Sequence, residues 1–276
     1  MFAELQQALW SAIPDQGYIL AVFLLSLRLA AVFAMTPLLA AFSVPGVVRV
    51  LLVVALAAAL ALGVPSESMT AALSLQTGEL VAACFFELSL GATLALGIIT
   101  AFAAISFAGR LVDQQVGFGM AQVFDPLTRR QIPVLTSAFD KLGVVVFFLA
   151  DGPHALLRGI AFSLERFPLG HAWPISASAP WIIKQAGALF SLGFALAAPV
   201  VVCLLLVELA LGVVARNLPQ MNMFVIGMPV KIIVGLVALS LWVGGMGAAL
   251  NRVYGSIYRT WDGIFSAAPA AATAVR

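Results

Sequence analysis

Charge is what this sequence has least of. Only 9% of its 276 residues are Asp, Glu, Lys or Arg, against about a quarter in ordinary soluble domains. Hydrophobic residues make up 63% and the mean hydropathy is +1.10. That balance excludes a domain with a solvated surface and fits a chain packed in a bilayer or among other helices. The basic residues stand singly apart from Arg129-Arg130, and the net charge is +2. With no basic stripe to follow a phosphate backbone, nucleic acid is excluded as a partner. Cysteine is equally scarce: Cys84 and Cys203 sit alone in apolar runs, without CxxC spacing or neighbouring histidines, and read as small buried hydrophobes. The two histidines, His154 and His171, lie near prolines with no second ligand beside them. HExxH, P-loop and GxSxG motifs are all missing, so no catalytic residue, metal or cofactor is expected. Ser163 or Ser191 with a histidine would make an intramembrane protease pair, but no motif surrounds either serine. The opening "MFAELQQALWSAIPDQGYIL" lacks a basic n-region and does not read as a cleaved signal.

Long apolar runs are what is there. A window near the ~20 residues that cross ~30 Å of hydrocarbon gives six segments, near 18–42, 48–64, 77–108, 136–151, 180–215 and 223–251. The fourth is short and the fifth very long, and kinks are expected at Thr36-Pro37, Ala198-Pro199 and Met228-Pro229, where proline removes a helix bond. The fold class expected is all-α: a polytopic membrane-type helical protein with kinked helical hairpins and a central re-entrant stretch. A helix from Asp151 to Gly170 sets Leu156, Leu157, Ile160, Phe162 and Leu164 opposite Arg158, Glu165 and Arg166, and is expected at an interface. Ser178-Ala-Pro-Trp offers a helix start. A tail with Tyr254, Ile257, Tyr258, Trp261 and Phe265 at helical spacing reads as an interfacial aromatic anchor. Lys and Arg do not orient the spans. Arg49, Arg110, Arg129, Arg130, Lys141 and Arg216 on one face balance Arg158, Arg166, Lys184, Arg252, Arg259 and Arg276 on the other.

Five ionisable groups lie in or at the edge of these segments: Arg28, Glu79, Glu87, Glu208 and Lys231. A charge at mid-bilayer costs ~2.5–3.5 kcal/mol on insertion scales, so each implies a partner. Counted outward from Pro219, Glu208 lies eleven residues before and Lys231 twelve after, which brings them to similar depth in a hairpin. They are read either as an ion pair fixing helix packing or as a proton or ion relay. Gly91, Gly97, Gly187, Gly193, Gly212, Gly227, Gly235, Gly244, Gly245 and Gly247 are read as close-approach positions between helices.

One polar stretch interrupts the apolar runs: "GRLVDQQVGFGMAQVFDP", from Gly109 to Pro126. Gly117 and Gly119 permit sharp backbone geometry, and Phe118, Met120 and Phe124 can seal apolar surface. Asp113, Gln114, Gln115, Gln122 and Asp125 can hydrate an opened path. A re-entrant turn that only packs the third helix to the fourth remains open beside that reading, because non-helical backbone at this depth is tolerated inside protein or around water.

Three segments in order resemble one family. "GRLVDQQVGFGMAQVFDPLTRRQIPVL", "FFLADGPHALLRGIAFSLERFPLG" and "ELALGVVARNLPQMNMFVIGMPVKIIVGL" have the order and spacing of the FliR/SctT proteins, the export-gate membrane components of flagellar and injectisome type III secretion. "FSVPGVVRVLLVVALAAALA" resembles the same family's N-terminal part. One departure is Pro153, where the family commonly has a polar residue after the Asp151-Gly152 pair.

The resemblance implies a non-enzymatic subunit, one copy per gate, joined to P-type (FliP/SctR) and Q-type (FliQ/SctS) subunits in a cone-like pore for unfolded secreted proteins. Much of that cone stands above the membrane plane, and a switch-type (FlhB/SctU) subunit is a further partner. It implies a multi-pass protein of the bacterial inner membrane, at a flagellar basal body or injectisome base, with the flagellar branch favoured by "PQMNMFVIGMPVKIIVG". The family's plug loop matches Gly109 to Pro126 and extends toward Pro133. Arg216, Pro219, Gln220 and Asn222 fall at the hairpin turn, where partner contact is implied. The expected division is 1–135, ending in the plug loop at about 109–133, and 136–276, with hairpin 180–251 and an amphipathic tail. A stand-alone secondary transporter or channel using Glu208 and Lys231 is the rival reading, though no internal repeat supports it.

Overall fold

Helix takes up nearly all of the chain that the computed structural model describes, namely residues 15–40, 44–117, 123–124, 131–173, 175–217 and 223–272. In order these are α1 (Gln16–Met35), the single turn α2 (Pro37–Ala40), α3 (Gly46–Ala61), α4 (Ser66–Leu73) and α5 (Thr77–Val116). Then come α6 (Val134–Leu149), α7 (Gly152–Arg166), α8 (Ile175–Asn217), α9 (Met223–Val243) and α10 (Gly247–Ala272). Among the described residues strand is confined to a two-residue antiparallel ladder, β1 (Val123–Phe124) with β2 (Gln131–Ile132), pairing Val123 with Ile132 and Phe124 with Gln131. The protein is all-α and helical in the membrane-spanning manner.

Among the described residues, four helices are long and apolar enough to cross a membrane: Gln16–Met35, Thr77–Val116, Ile175–Asn217 and Val225–Val243. Two of the six expected segments fall short. Gly46–Ala61 and Val134–Leu149 are 16 residues each, about 24 Å at 1.5 Å per residue against ~30 Å of hydrocarbon. The three prolines also behave differently from one another. At Thr36 the backbone is extended and α1 stops (φ −100°, ψ 150°), as the restriction on a residue before proline dictates. Helix continues through Pro199 and Pro229. Likewise α8 begins at Ile175, three residues before the expected start at Ser178, whose hydroxyl donates to Ile175 O at 2.6 Å.

The chain divides into two compact units, the first made of Met1–Leu96, Ala155–Pro180 and Trp261–Arg276, the second of Gly97–His154 and Trp181–Thr260. In the first, α1 packs chiefly on α3 and α4. Ala21, Leu24, Leu25, Arg28, Leu29 and Val32 form its buried stripe at three- and four-residue spacing. Gly91 lets α5 approach: a Cβ there would stand 2.3 Å from the Arg28 carbonyl oxygen and 2.9 Å from Ala31 Cβ. Between helices surrounded by lipid there is little hydrophobic drive, so this intimacy of backbone and small side chains carries the packing. Gly159 plays a similar part beneath Trp261, with the nearest ring carbon 2.3 Å from an added Cβ. The Trp261 indole N–H donates to Leu94 O at 3.1 Å.

In the second unit, Ile98, Ala101, Ile105, Ala108, Val112 and Val116 form the buried stripe of α5. Gly193 fits α8 against the Ala104 carbonyl (2.6 Å to an added Cβ), and Gly235 fits α9 against Val116 Cγ2 (2.6 Å). Gly187, Gly212 and Gly247 would meet nothing within 4 Å, so among the described residues they are not close-approach positions. Phe102, Phe147 and Tyr254 stack edge to face or tilted, with centroids 5.4–6.2 Å apart. The Tyr254 hydroxyl donates to Gly143 O at 2.6 Å, and its burial pushes its pKa well above the usual tyrosine value. The stripe expected at a membrane interface is therefore core. Tyr254, Ile257, Trp261 and Phe265 are all buried, because their rings find apolar partners and their polar tips find carbonyls within the chain.

The turn into α7 also needs its residues. Asp151 has φ 58°, a left-handed value that Asp tolerates better than most. Next to it, a Cβ on Gly152 would press within 2.6 Å of three Phe147 ring carbons. Pro153 then occupies the first turn of α7, where its missing N–H costs nothing. The departure from the family pattern is thus accommodated by local helix geometry.

Candidate functional site

The polar stretch begins as helix. α5 runs through Gly109 to Val116, and the chain leaves it at Gly117, whose φ of 91° is a glycine conformation. Nothing between Arg110 and Val116 breaks a helix, and the one local competitor, Asp113, has its side chain engaged elsewhere. Gly109 is accordingly a packing residue: a Cβ there would lie 2.7 Å from Thr136 Cα and 3.1 Å from Phe139 Cβ, on α6.

Asp113 is buried, with 1% of its surface exposed. Its carboxylate accepts from Leu135 N (3.0 Å), Thr136 N (2.7 Å) and Thr136 Oγ1 (2.7 Å). The reason lies at the start of α6. Its N-cap is Pro133, which makes no side-chain cap bond, so the second and third amides of the helix lack the acceptor that Ser, Thr or Asp would offer locally. Asp113 supplies it from α5, with a negative charge suited to the positive end of the helix dipole. The consequence is a clasp. The two ends of the 117–133 segment are tied together by three charge-assisted bonds, while Gly117 faces α9, where a Cβ on it would stand 4.0 Å from Met228 Cε. Further out, the β1–β2 pairing brings the two limbs side by side.

Of the other residues read as plug or hydration groups, Gln114 is exposed and Gln115 half-buried on the last turn of α5. The backbone of Phe124 lies in β1. Phe118, Gly119, Met120, Gln122, Asp125 and Pro126 lie outside the described residues.

Arg28 and Glu87 face one another in the first unit. Arg28 Nε donates to Glu87 Oε2 at 2.6 Å and Nη2 to Oε1 at 3.0 Å, with side chains 1% and 2% exposed. The remaining valences are filled as well. Nη1 donates to Ser163 Oγ (2.9 Å), Nη2 to Phe167 O (3.1 Å), and Gly170 N donates to Glu87 Oε1 (3.1 Å). Ser163 gives its own proton to Ile160 O at 2.6 Å, so it serves this network, and the protease reading of that serine has no geometric support. A bidentate fork of this kind suits Arg and would not suit Lys.

Glu208 and Lys231 also meet, Lys231 Nζ donating to Glu208 Oε1. This pair is about one-third exposed, unlike the sealed Arg28–Glu87 pair. Asn217 closes α8 by donating to Val213 O at 2.9 Å, and Arg216 is exposed beside it. Pro219, Gln220 and Asn222 lie outside the described residues. Glu79, the remaining edge charge, caps α5 by accepting from Gln76 N at 2.9 Å. Cys203 is exposed and Cys84 half-buried, in place of the burial expected for both. Among the described residues no cluster of three His, Cys, Asp or Glu could hold a metal.

Membrane-length helices, two charge pairs between helices and a clasped loop at the end of α5 define a class of helical membrane component. Residues 19–257 match the model of a family described as bacterial export proteins, family 1. The flagellar biosynthetic protein FliR of Bacillus subtilis is 35% identical over 173 residues, covering 62% of this chain and 67% of that one. FliR of Escherichia coli is 28% identical over 244 residues, 88% and 92% of the two chains. The secretion system apparatus protein SsaT of Salmonella typhimurium is 26% identical over 168 residues, 60% and 62%. The chain belongs to this family, the FliR/SctT proteins, and is a membrane component of a type III export apparatus.

Proposed function

We propose that this chain is a non-enzymatic subunit of a type III export gate in the bacterial inner membrane, and that its 117–133 segment closes the gate's conduit between substrates. The observation that carries this reading is the Asp113 clasp. A loop required to move needs a base that does not, and three bonds to a buried carboxylate fix both of its ends to α5 and α6. Between the fixed ends the sequence alternates Phe118, Met120 and Phe124 with Gln122 and Asp125, side chains suited to an apolar seal and to a wetted path respectively.

P-type and Q-type subunits, with a switch-type subunit beside them, are the partners in this proposal, and unfolded secreted proteins are the cargo. The exposed apolar faces support an assembled state. Val47, Val50 and Leu51 on α3, Leu209 on α8 and Leu241 on α9 are each more than 60% exposed, a surface fit for lipid or for neighbouring subunits. In this reading Glu208 and Lys231 hold α8 to α9, and Arg216, Pro219, Gln220 and Asn222 belong to a turn that meets a partner. The flagellar branch is favoured by the two FliR proteins at 35% and 28% identity against SsaT at 26%.

Co-expression with P-type and Q-type subunits from the same chromosome tests the assembly. The chain is expected to co-purify with both at one copy per complex. A stable monomer that moves a small solute into liposomes without them would overturn the proposal in favour of a transporter.

A further inference from the structure

A cleft of about 490 Å³ opens in the second unit between α8 and α10. α8 contributes Trp181, Lys184 and Gln185, and α10 contributes Ser256, Arg259 and Thr260. Each set falls at three- and four-residue spacing on one helical face. Two cations and no carboxylate line it among the described residues. Lys184 Nζ lies 5.5 Å from the centre of the Trp181 ring, a cation–π arrangement that keeps the ammonium at the mouth. Arg259 gives Nε to Gly255 O and one Nη2 proton to Arg252 O, which leaves Nη1 for another acceptor. On the floor, Gln185 is 4% exposed. Its Nε2 donates to Gly97 O at 2.8 Å and Ser256 Oγ at 3.3 Å, and a carbonyl acceptor fixes which end of the amide is which. Its Oε1 is buried and meets no donor among the described residues, and a buried acceptor left unmet is costly.

The cleft therefore asks for an anion and, on the same ligand, a hydrogen-bond donor. A carboxylate side chain of another protein answers the cations but leaves Gln185 Oε1 unmet. We propose that the cleft binds the headgroup of a phospholipid whose phosphate is joined to a donor-bearing group, as in phosphatidylglycerol or phosphatidylethanolamine. Lys184 and Arg259 receive the phosphate, and Gln185 Oε1 accepts from the hydroxyl or ammonium.

The level of the cleft agrees with this occupant. From Ala186 to Val207, α8 runs 22 residues without a charge, about 33 Å of helix against ~30 Å of hydrocarbon. Lys184 and Gln185 stand immediately outside one end of that run, where phosphates lie, and Glu208 immediately outside the other. Ala188 and Leu192, one and two turns further along the same face of α8, also line the cleft and give it an apolar wall on the side of the uncharged run. Basic pockets between membrane helices hold anionic lipid headgroups. The inference rests on the cleft and stands apart from the export-gate reading.

Native mass spectrometry of the whole chain, released from detergent after exchange with defined lipids, tests it. Phosphatidylglycerol and phosphatidylethanolamine are expected to be retained over phosphatidylcholine, whose headgroup lacks a donor. Lys184→Ala and Arg259→Ala are each expected to weaken phosphatidylglycerol retention about fivefold. Because both side chains are exposed, the fold should not change. Gln185→Met is expected to keep phospholipid binding and lose the preference for phosphatidylglycerol over phosphatidylcholine. Equal retention of the three lipids by the unaltered chain would overturn the proposal, as would unchanged retention in the double cation variant. Release of the lipid by inorganic phosphate at comparable strength would assign the cleft to a free anion, also against it, and so would occupation by an acidic segment of another protein with no retained lipid.

Discussion

Arg28→Ala is expected to destabilise the chain by about 3–5 kcal/mol, the cost of leaving one buried charge without its partner. Glu87 would keep only the bond from Gly170 N in a site 2% exposed, while Ser163 Oγ and Phe167 O would each lose a donor. For a chain of this size that is a fall of ~10 °C or more in the midpoint of thermal unfolding in detergent. Arg28→Lys should fall between, because an ammonium cannot span both carboxylate oxygens and still reach Ser163. The double change Arg28→Met with Glu87→Leu is expected to be less destabilised than either single loss. Removing both charges removes the uncompensated ion, and what remains is the cost of the unpaired groups at Phe167 and Gly170. A double variant as unstable as the sum of the single ones would mean that the pair is not coupled as its geometry requires.

Asp113→Ala is the second large effect, expected at about 3 kcal/mol, the upper end for charge-assisted bonds to a buried carboxylate. Its particular signature is local. Hydrogen exchange at the amides of Leu135 and Thr136 should speed up sharply, since no acceptor at Pro133 can replace the lost one. Asp113→Asn keeps one oxygen for Leu135 N but turns an NH2 group toward Thr136 N, so one amide stays protected and the other does not. Undiminished protection of both amides in the alanine variant would show that the first turn of α6 does not depend on the clasp.

The charged sites were unequally legible in the amino-acid order. Glu208 and Lys231 are nearly equidistant from a proline turn within one hairpin, and depth matching alone brings them together. Arg28 and Glu87 are 59 residues apart with other helices between, and no period connects them. Only the cost of an unpaired intramembrane charge announced that partners had to exist. Asp113 was misleading in another way. An acid beside two glutamines reads as hydrated, yet the chain spends it on a helix start 22 residues downstream, where proline had removed the local cap. Gly109 looked like the first residue of a loop because polar residues follow it, whereas the contact with Thr136 makes it part of a helix pair. The aromatic tail shows the same limit, since helical spacing fixed which residues share a face but not whether lipid or protein covers it.

Whether residues 117–133 close a conduit can be read from the conductance of the assembled gate in a planar bilayer. With the clasp intact and Gly117 to Gln122 deleted, the gate is expected to pass ions continuously where the unaltered gate is shut. A correctly assembled gate with that deletion and an unchanged, closed conductance would refute the closure and leave the segment only its packing of α5 to α6.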